Sequence, residues 1–177
     1  MICSNLKILF LYVNLPMLDT TNKTLRGLLW FTLIIYLLVL TKFIIFKQSP
    51  ASAIDHFRHH YSWKTAKANM SHANLTLFAT IKLYWNSHLR ATYKISNLLG
   101  NIIGFVPLGI LLPLLSRRLR TFPRTVFMVF LFSLAFELFQ LFTMLGIFDI
   151  DDLLLTTIGG AIGYMMFLIL RKLVSIK

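Results

Sequence analysis

Four long apolar stretches limit this chain to one kind of fold. They cover residues 28–46, 97–116, 125–146 and 153–170, and their only charged residues are Lys42 and Glu137. Each stretch is close to the roughly 20 residues that a helix needs to cross a bilayer. Only 14% of the chain is charged, against about 25% in a typical globular protein. The sequence therefore predicts an all-α integral membrane protein, built as a four-helix bundle.

The link between the first two spans, residues 47–96, is not uniform. Its first part, residues 50–71, is polar, and we predict a surface loop there. Farther on, Leu77, Ile81, Tyr84 and Trp85 recur at helical spacing and would form one apolar face. Tyrosine and tryptophan rings favour the membrane–water interface. We therefore predict an amphipathic helix that lies along the outer interface.

Basic residues predict the orientation, because cytoplasmic links carry an excess of Lys and Arg. The link 117–124 holds four arginines and no acid, and the tail is also basic, whereas the link 147–152 holds three acids and no base. We predict a multi-pass cell-membrane protein with both termini in the cytoplasm. The link 47–96 then lies outside although it holds seven Lys or Arg residues, since long links obey the rule poorly.

These features divide the chain into five parts. Residues 1–27 form an N-terminal cytoplasmic or interfacial segment, 28–46 the first span, 47–96 the outer link, 97–170 a core of three spans, and 171–177 a basic cytoplasmic tail. The apolar run 6–18 is too short to span the membrane and contains Pro16. It is either an interfacial segment or a sign that the native protein begins at Met17.

Small residues and a proline predict how the second and fourth spans pack. Gly159, Gly160 and Gly163 would let another helix approach the fourth span closely. Pro107 lies between two glycines within the second span. A kink or break of this kind is tolerated in a membrane where it borders a cavity.

Polar side chains within the spans and at their ends are the candidates for function, because burying an ionisable group in a membrane is costly. With the predicted topology, six of them reach the outer half of the bundle: Asn101, Glu137, Gln140, Asp149, Asp151 and Asp152. The structural alternative is that the glutamate only joins helices and that the aspartates only cap a helix start. Caps do not need three acids in four residues, so the set as a whole favours a site.

Three blocks of residues stand in a distinctive order. They are Asn97-Leu-Leu-Gly-Asn101 through Phe105-Val-Pro-Leu-Gly109, then Ser133 through Glu137 and Gln140, then Phe148-Asp149-Ile150-Asp151-Asp152 through Gly163-Tyr164. This order resembles the VanZ-like family of small bacterial membrane proteins, named for a member linked to teicoplanin resistance. The resemblance covers about residues 74–170. It departs from the family at Thr156, where the family tends to carry asparagine.

The residues and the resemblance together predict a membrane protein with an outward-facing acidic site. This site would act on or bind a lipid-linked or cell-wall component of the envelope and affect glycopeptide susceptibility. Glu137, Asp151 and Asp152 are the candidate catalytic acids and bases, and Asn101, Gln140 and Asp149 are the candidate substrate-binding residues. Asp149, Asp151 and Asp152 are also candidate ligands of Mg²⁺ or Ca²⁺, because oxygen-only ligands suit such hard cations.

The expected partners are membrane lipids and a lipid-linked envelope substrate or glycopeptide-related component. Nucleic acid is not expected, because the basic residues flank apolar spans, where they orient helices and contact headgroups. Two other functions fit the residues: an ion- or proton-coupled small transporter that uses Glu137, and a non-catalytic membrane protein with a binding or structural role. Four spans without a visible inverted repeat count against the transporter. The residue pattern alone does not distinguish an enzyme from a binding protein.

Overall fold

The computed structural model of the protein describes residues 23–45, 62–86 and 91–175. In chain order the helices are α1 (Lys23–Ile45), α2 (Trp63–Asn69), α3 (Ala79–Asn86), α4 (Ala91–Leu115), α5 (Phe122–Thr143) and α6 (Ile150–Ser175). Short 3₁₀ turns follow α2 at Met70–His72 and α4 at Arg117–Leu119. The predictions for the start of the chain and for most of the loop at 50–71 fall outside the described residues.

Four of the helices are long and apolar enough to cross a membrane, over Lys23–Ile44, Ile95–Leu115, Phe122–Thr143 and Ile150–Leu173. The prediction of an all-α, four-helix membrane bundle is confirmed. The helix ends differ from the hydropathy limits by a few residues, because local backbone geometry sets them. Thr121 precedes α5 in an extended conformation, and Met144 ends α5 with a left-handed backbone at a φ of 57°.

Helices α4 and α6 cross so closely that glycine is required at the contact. A Cβ atom on Gly159 would lie 2.1 Å from the carbonyl oxygen of Ile102, and one on Gly163 would lie 2.1 Å from that of Val106. A Cβ on Gly160 would lie 2.5 Å from a valine methyl of α5. In a membrane, where apolar burial gives little drive between helices, such close packing supplies much of the association energy. The predicted role of these glycines is confirmed.

The core between α4, α5 and α6 centres on four nearly inaccessible side chains, Phe105, Leu108, Val129 and Phe167. Helix α1 packs at the periphery of this core through Leu33 and Leu40. Only 11% of its span is buried, against 44% of the span of α6. Most of the apolar surface of α1 is therefore left for contact with lipid.

The segment 62–86 differs from its prediction in one part. The loop predicted over 50–71 is helical from Trp63 onward. Ser62 and Thr65 explain this start, because the Thr65 N–H donates to Ser62 Oγ at 3.2 Å and the Ser62 N–H donates to Thr65 Oγ1 at 3.0 Å. These reciprocal bonds satisfy backbone donors at a helix N-terminus. The signal for α2 was thus the Ser62–Thr65 pair, which lies in a polar stretch without apolar periodicity.

The helix predicted in this part of the link is present as α3, in a shorter form, and its position at the membrane interface stays a prediction. Leu77 lies before it, because Phe78 has a left-handed backbone with a φ of 64°, which a right-handed helix cannot contain. Trp85 is 86% exposed, and Tyr84 is half-buried. No residue of α3 is buried. The helix is therefore held by its start more than by its packing.

The arginine-rich link and the three aspartates lie at opposite ends of the bundle. The basic end holds the link after α4 and Arg171, and Tyr164 of α6 donates from its hydroxyl to the Arg120 carbonyl oxygen at 2.8 Å. Burial, together with the charges of Arg117 and Arg171, lowers the pKa of Arg120. The acidic end holds Asp149, Asp151 and Asp152 at the start of α6, and the segment 62–86 lies against it. The side of the membrane that each end faces stays a prediction.

Candidate functional site

Polar side chains from α4, α5 and α6 meet inside the bundle near the acidic end, in what we call the polar pocket. Its apolar walls are Ile44, Phe105 and Phe136. Its polar lining consists of Asn101, Ser133, Glu137, Gln140, Asp152 and Thr156. The cavity measures about 10 Å³, which is room for about one water molecule. Four of the six predicted site residues therefore come together here, and Asp149 and Asp151 do not line the pocket.

Glu137 is a carboxylic acid buried in a membrane-spanning helix. Its side chain is 5% exposed, and it lies six residues, or about 9 Å, before α5 ends at Thr143. Its Oε2 accepts the backbone N–H of Asp149 at 3.0 Å. The link from α5 to α6 thus folds back over the pocket, and this hydrogen bond offsets part of the cost of burying the carboxylate.

Asn101 and Asp152 join α4 to α6 at the pocket. The side-chain amide of Asn101 donates from Nδ2 to Asp152 Oδ1. One turn later on α6, the Thr156 hydroxyl donates to the Asp152 backbone carbonyl oxygen at 2.7 Å. Asp152 is therefore bonded to Asn101 through its side chain and to Thr156 through its backbone carbonyl oxygen.

The remaining polar groups connect the other helices to the pocket. Ser133 Oγ lies 2.6 Å from Thr156 Oγ1. Either hydroxyl can donate in this pair. Gln140 donates from Nε2 to the Ile44 carbonyl oxygen at 2.9 Å, which ties α1 to α5. Thr156, which stands where the family tends to have an amide, takes part in the pocket as a hydroxyl.

Asp149 caps α6. Its Oδ1 accepts the Asp151 N–H at 2.9 Å, as a helix N-cap does, and also accepts Asn74 Nδ2 at 3.0 Å. The Thr80 hydroxyl donates to its other carboxylate oxygen. These contacts place Asp149 between the start of α6 and the segment before α3, and its predicted contact with a substrate stays a prediction.

Asp151 caps a helix from a different part of the chain. Its side chain is fully buried. Its Oδ1 accepts the Phe78 N–H at 2.5 Å, and its Oδ2 accepts the N–H groups of Thr80 at 2.8 Å and Ile81 at 3.2 Å. The first N–H groups of a helix lack intrahelical partners, so this one carboxylate supplies what the start of α3 needs. Its predicted catalytic role stays untested, and its observed contacts are structural.

Asn74 and Thr80, which were not predicted as site residues, complete this connection. Asn74 pairs with Asp149 in an isolated parallel bridge: its N–H donates to the Phe148 carbonyl oxygen at 2.8 Å, and its own carbonyl oxygen accepts the Ile150 N–H at 3.1 Å. A local signal existed, because Asn74 Oδ1 accepts the N–H two residues ahead at 3.1 Å, which is ordinary asparagine turn chemistry. The distant partner left no such signal.

The three aspartates have different hydrogen-bond partners. Asp149 accepts side-chain donors, Asp151 accepts three backbone N–H groups, and Asp152 accepts Asn101. In the part of the chain that the structure describes, no group of three or more His, Cys, Asp or Glu side chains is placed to hold a metal ion. Binding of Mg²⁺ or Ca²⁺ by Asp149, Asp151 and Asp152 stays a prediction.

The polar pocket can exchange hydrogen bonds and protons with one small group. An ionised carboxylate only accepts hydrogen bonds, whereas a protonated one also donates, and an amide does both. Glu137 and Asp152 thus provide two acceptors that can change protonation, while Asn101 and Gln140 fix their surroundings. This is the set of groups that general acid–base catalysis or the binding of a hydroxyl or amine requires.

Comparison with known proteins gives one consistent result. The family model described as VanZ/LLP1 matches residues 33–171. Protein VanZ of Enterococcus faecium is 32% identical over 77 residues, which cover 44% of this chain and 47% of that protein. The alignment thus spans about half of this curated relative. No solved structure matches the chain. Since the family model covers most of the chain, the resemblance seen in the sequence is confirmed, and this membrane protein belongs to the VanZ/LLP1 family.

Proposed function

We propose that this VanZ-like membrane protein binds a lipid-linked component of the cell envelope at the polar pocket, and that this binding lowers susceptibility to glycopeptide antibiotics such as teicoplanin. The observation that carries the proposal is the meeting of Asn101, Glu137 and Asp152 inside the spanning helices. Ionisable groups in such a position are costly and are candidates for a functional site by default.

The charges of the polar pocket indicate which chemical group it binds. Two carboxylates favour a group that donates hydrogen bonds, such as a hydroxyl or an amine, and they repel a bare phosphate. The cavity of about 10 Å³ admits only the tip of such a group. The rest of the component then lies outside the polar pocket. Glu137 and Asp152 contact the bound tip, and Asn101 orients Asp152.

The acidic end faces the outside of the cell in this proposal. The supporting feature is the charge of the two ends, because Arg117, Arg118, Arg120 and Arg124 all lie at the other end. A pocket near the acidic end is then within reach of envelope components in the outer leaflet.

The test is drug susceptibility of cells that express the protein. In a teicoplanin-sensitive bacterium, we expect the wild-type chain to raise the inhibitory concentration of teicoplanin. We expect Glu137→Gln and Asp152→Asn each to abolish this rise at normal membrane abundance. Both substitutions keep size and hydrogen-bonding capacity but remove the ionisable group, so a side chain that only joins helices should tolerate them.

Matched controls are available in the segment 62–86. Asn101→Ala should abolish protection, whereas Asn86→Ala, an exposed amide at the end of α3, should not. Lys67→Ala at an exposed site of α2 should also have no effect. Full protection by both Glu137→Gln and Asp152→Asn at wild-type abundance would show that the pocket is only packing.

A further inference from the structure

An open groove runs between α1 and α4 on the lipid-facing side of the bundle. Its volume is about 670 Å³, within the range of about 300–1,000 Å³ typical of ligand sites. Its walls are mainly apolar and include Tyr36, Val39 and Phe43 of α1 and Leu99, Ile103 and Pro107 of α4.

Missing side chains keep this groove open. Gly100 of α4 lines it, and a Cβ atom at this position would have nothing within 4 Å. A Cβ on Gly104 would only reach ordinary contact with Leu40 at 3.4 Å. The Tyr36 hydroxyl donates to the Gly104 carbonyl oxygen and so holds the two helices together at this level. The groove is therefore a feature of the contact between α1 and α4.

The groove leads to the polar pocket. Three residues, Ile44, Asn101 and Phe105, line both spaces. Asn101 stands at the boundary, because its amide bonds to Asp152 inside the pocket. A molecule lying in the groove would thus bring its polar part to Asn101 and Asp152.

The dimensions of the groove select its occupant. Along α4 it runs from Ile95 to Pro107, a rise of about 18 Å. One leaflet contributes about 15 Å to a hydrocarbon core of about 30 Å. The length of the groove therefore matches one extended hydrocarbon chain of a single leaflet.

We propose that this groove binds one hydrocarbon chain of a membrane lipid, taken from the leaflet on the side of the acidic end, and holds the lipid's polar group at Asn101 and Asp152. The inference rests on the proposed function and adds the substrate class to it, a ligand anchored by a single chain. Apolar walls at leaflet depth accept hydrocarbon from the surrounding membrane without a charged barrier.

The test uses two glycines that differ only in location. Gly100→Leu fills the groove without displacing backbone, whereas Gly27→Leu, in equally open space near the start of α1, leaves it unchanged. The purified full chain is placed in nanodiscs of phosphatidylglycerol doped with a phosphatidylglycerol that carries a diazirine on one acyl chain. After photolysis, labelled residues are identified by mass spectrometry.

We expect labelling of the wild-type chain to concentrate on groove residues over exposed apolar positions elsewhere, such as Phe127 and Met165. Gly100→Leu should lose this excess, and Gly27→Leu should keep it. Even labelling over all lipid-facing surfaces, an excess that survives Gly100→Leu, or cross-linking between two copies of the chain through the groove would each overturn the proposal.

Susceptibility to teicoplanin separates this inference from the function on which it rests. If both hold, Gly100→Leu loses protection as Glu137→Gln does, while Gly27→Leu retains it. Protection lost in Glu137→Gln but kept in Gly100→Leu overturns the groove and leaves the pocket in place. Protection kept in both Glu137→Gln and Asp152→Asn overturns the function, whatever the labelling shows.

Discussion

Asp151 offers the sharpest test of how the acidic end is held together. Its buried carboxylate accepts three backbone N–H groups at the start of α3, and no residue of α3 is itself buried. Because α3 has so little packing of its own, we expect the loss of this carboxylate to release α3 without unfolding the spans. The perturbation is a pair of variants, Asp151→Ala and Asp151→Asn.

The magnitude follows from the number of hydrogen bonds. A hydrogen bond to a charged group contributes about 1.5–3 kcal/mol. Asp151→Ala removes three of them, roughly 4.5–9 kcal/mol in total, which is more than an exposed helix of two turns can offset. In Asp151→Asn, the side-chain oxygen can still accept the N–H groups of Thr80 and Ile81. Only the hydrogen bond from the Phe78 N–H is then lost. This substitution should therefore cost about 1.5–3 kcal/mol, or roughly a 10- to 100-fold rise in local opening.

Amide hydrogen exchange, followed by mass spectrometry in nanodiscs, measures this opening directly. Peptides that cover residues 76–86 should exchange roughly 10- to 100-fold faster in Asp151→Asn and without measurable protection in Asp151→Ala, while α4 and α6 stay protected. Asp152→Asn is the matched control, because the neighbouring carboxylate accepts the Asn101 side chain of α4. Unchanged exchange over 76–86 in Asp151→Ala would refute the assignment of Asp151 as the cap of α3.

Two further predictions concern topology and packing. In a chain with Cys3 replaced, Ile147→Cys should react with an impermeant thiol reagent added outside intact cells, and Leu119→Cys should not. The opposite labelling pattern would show that the predicted orientation is wrong. Gly163→Leu should abolish accumulation of folded protein in the membrane, because its Cβ would lie 2.1 Å from a backbone oxygen of α4. The control variant Gly27→Leu should accumulate normally. Equal accumulation of the two variants would show that α4 and α6 do not cross as described.

The sequence predicted the spans well because hydrophobicity alone determines which stretches enter a bilayer. It also predicted that Asn101, Glu137, Gln140 and Asp152 would meet, since their depths follow from helical rise and the order of the spans. It could not predict helix ends, which depend on caps and turns such as Met144. It also placed Asp149 and Asp151 in the same site as Asp152.

The role of Asp151 as the cap of α3 could not be predicted from the sequence, for a physical reason. Its partners are backbone N–H groups some 70 residues earlier in the chain, and every residue except proline carries such a group. A side-chain pattern therefore gives no sign of them. Thr80 escaped notice in the same way, because a lone threonine in a polar link has many other uses. Only the folded arrangement shows that the link before α3 and the start of α6 bind each other.

The acids at the start of α6 form a connected series, and this affects how their variants must be interpreted. Asp151 holds α3, Asp149 holds Asn74, and the N–H of Asp149 reaches Glu137 in the polar pocket. Releasing α3 therefore loosens the donor that faces Glu137. A loss of protection in Asp151→Asn would not by itself make Asp151 a catalytic group, whereas the same loss in Asp152→Asn with α3 still protected would assign it to the pocket. Hydrogen exchange over 76–86 distinguishes the two cases, because a group acting only at the pocket leaves α3 in place.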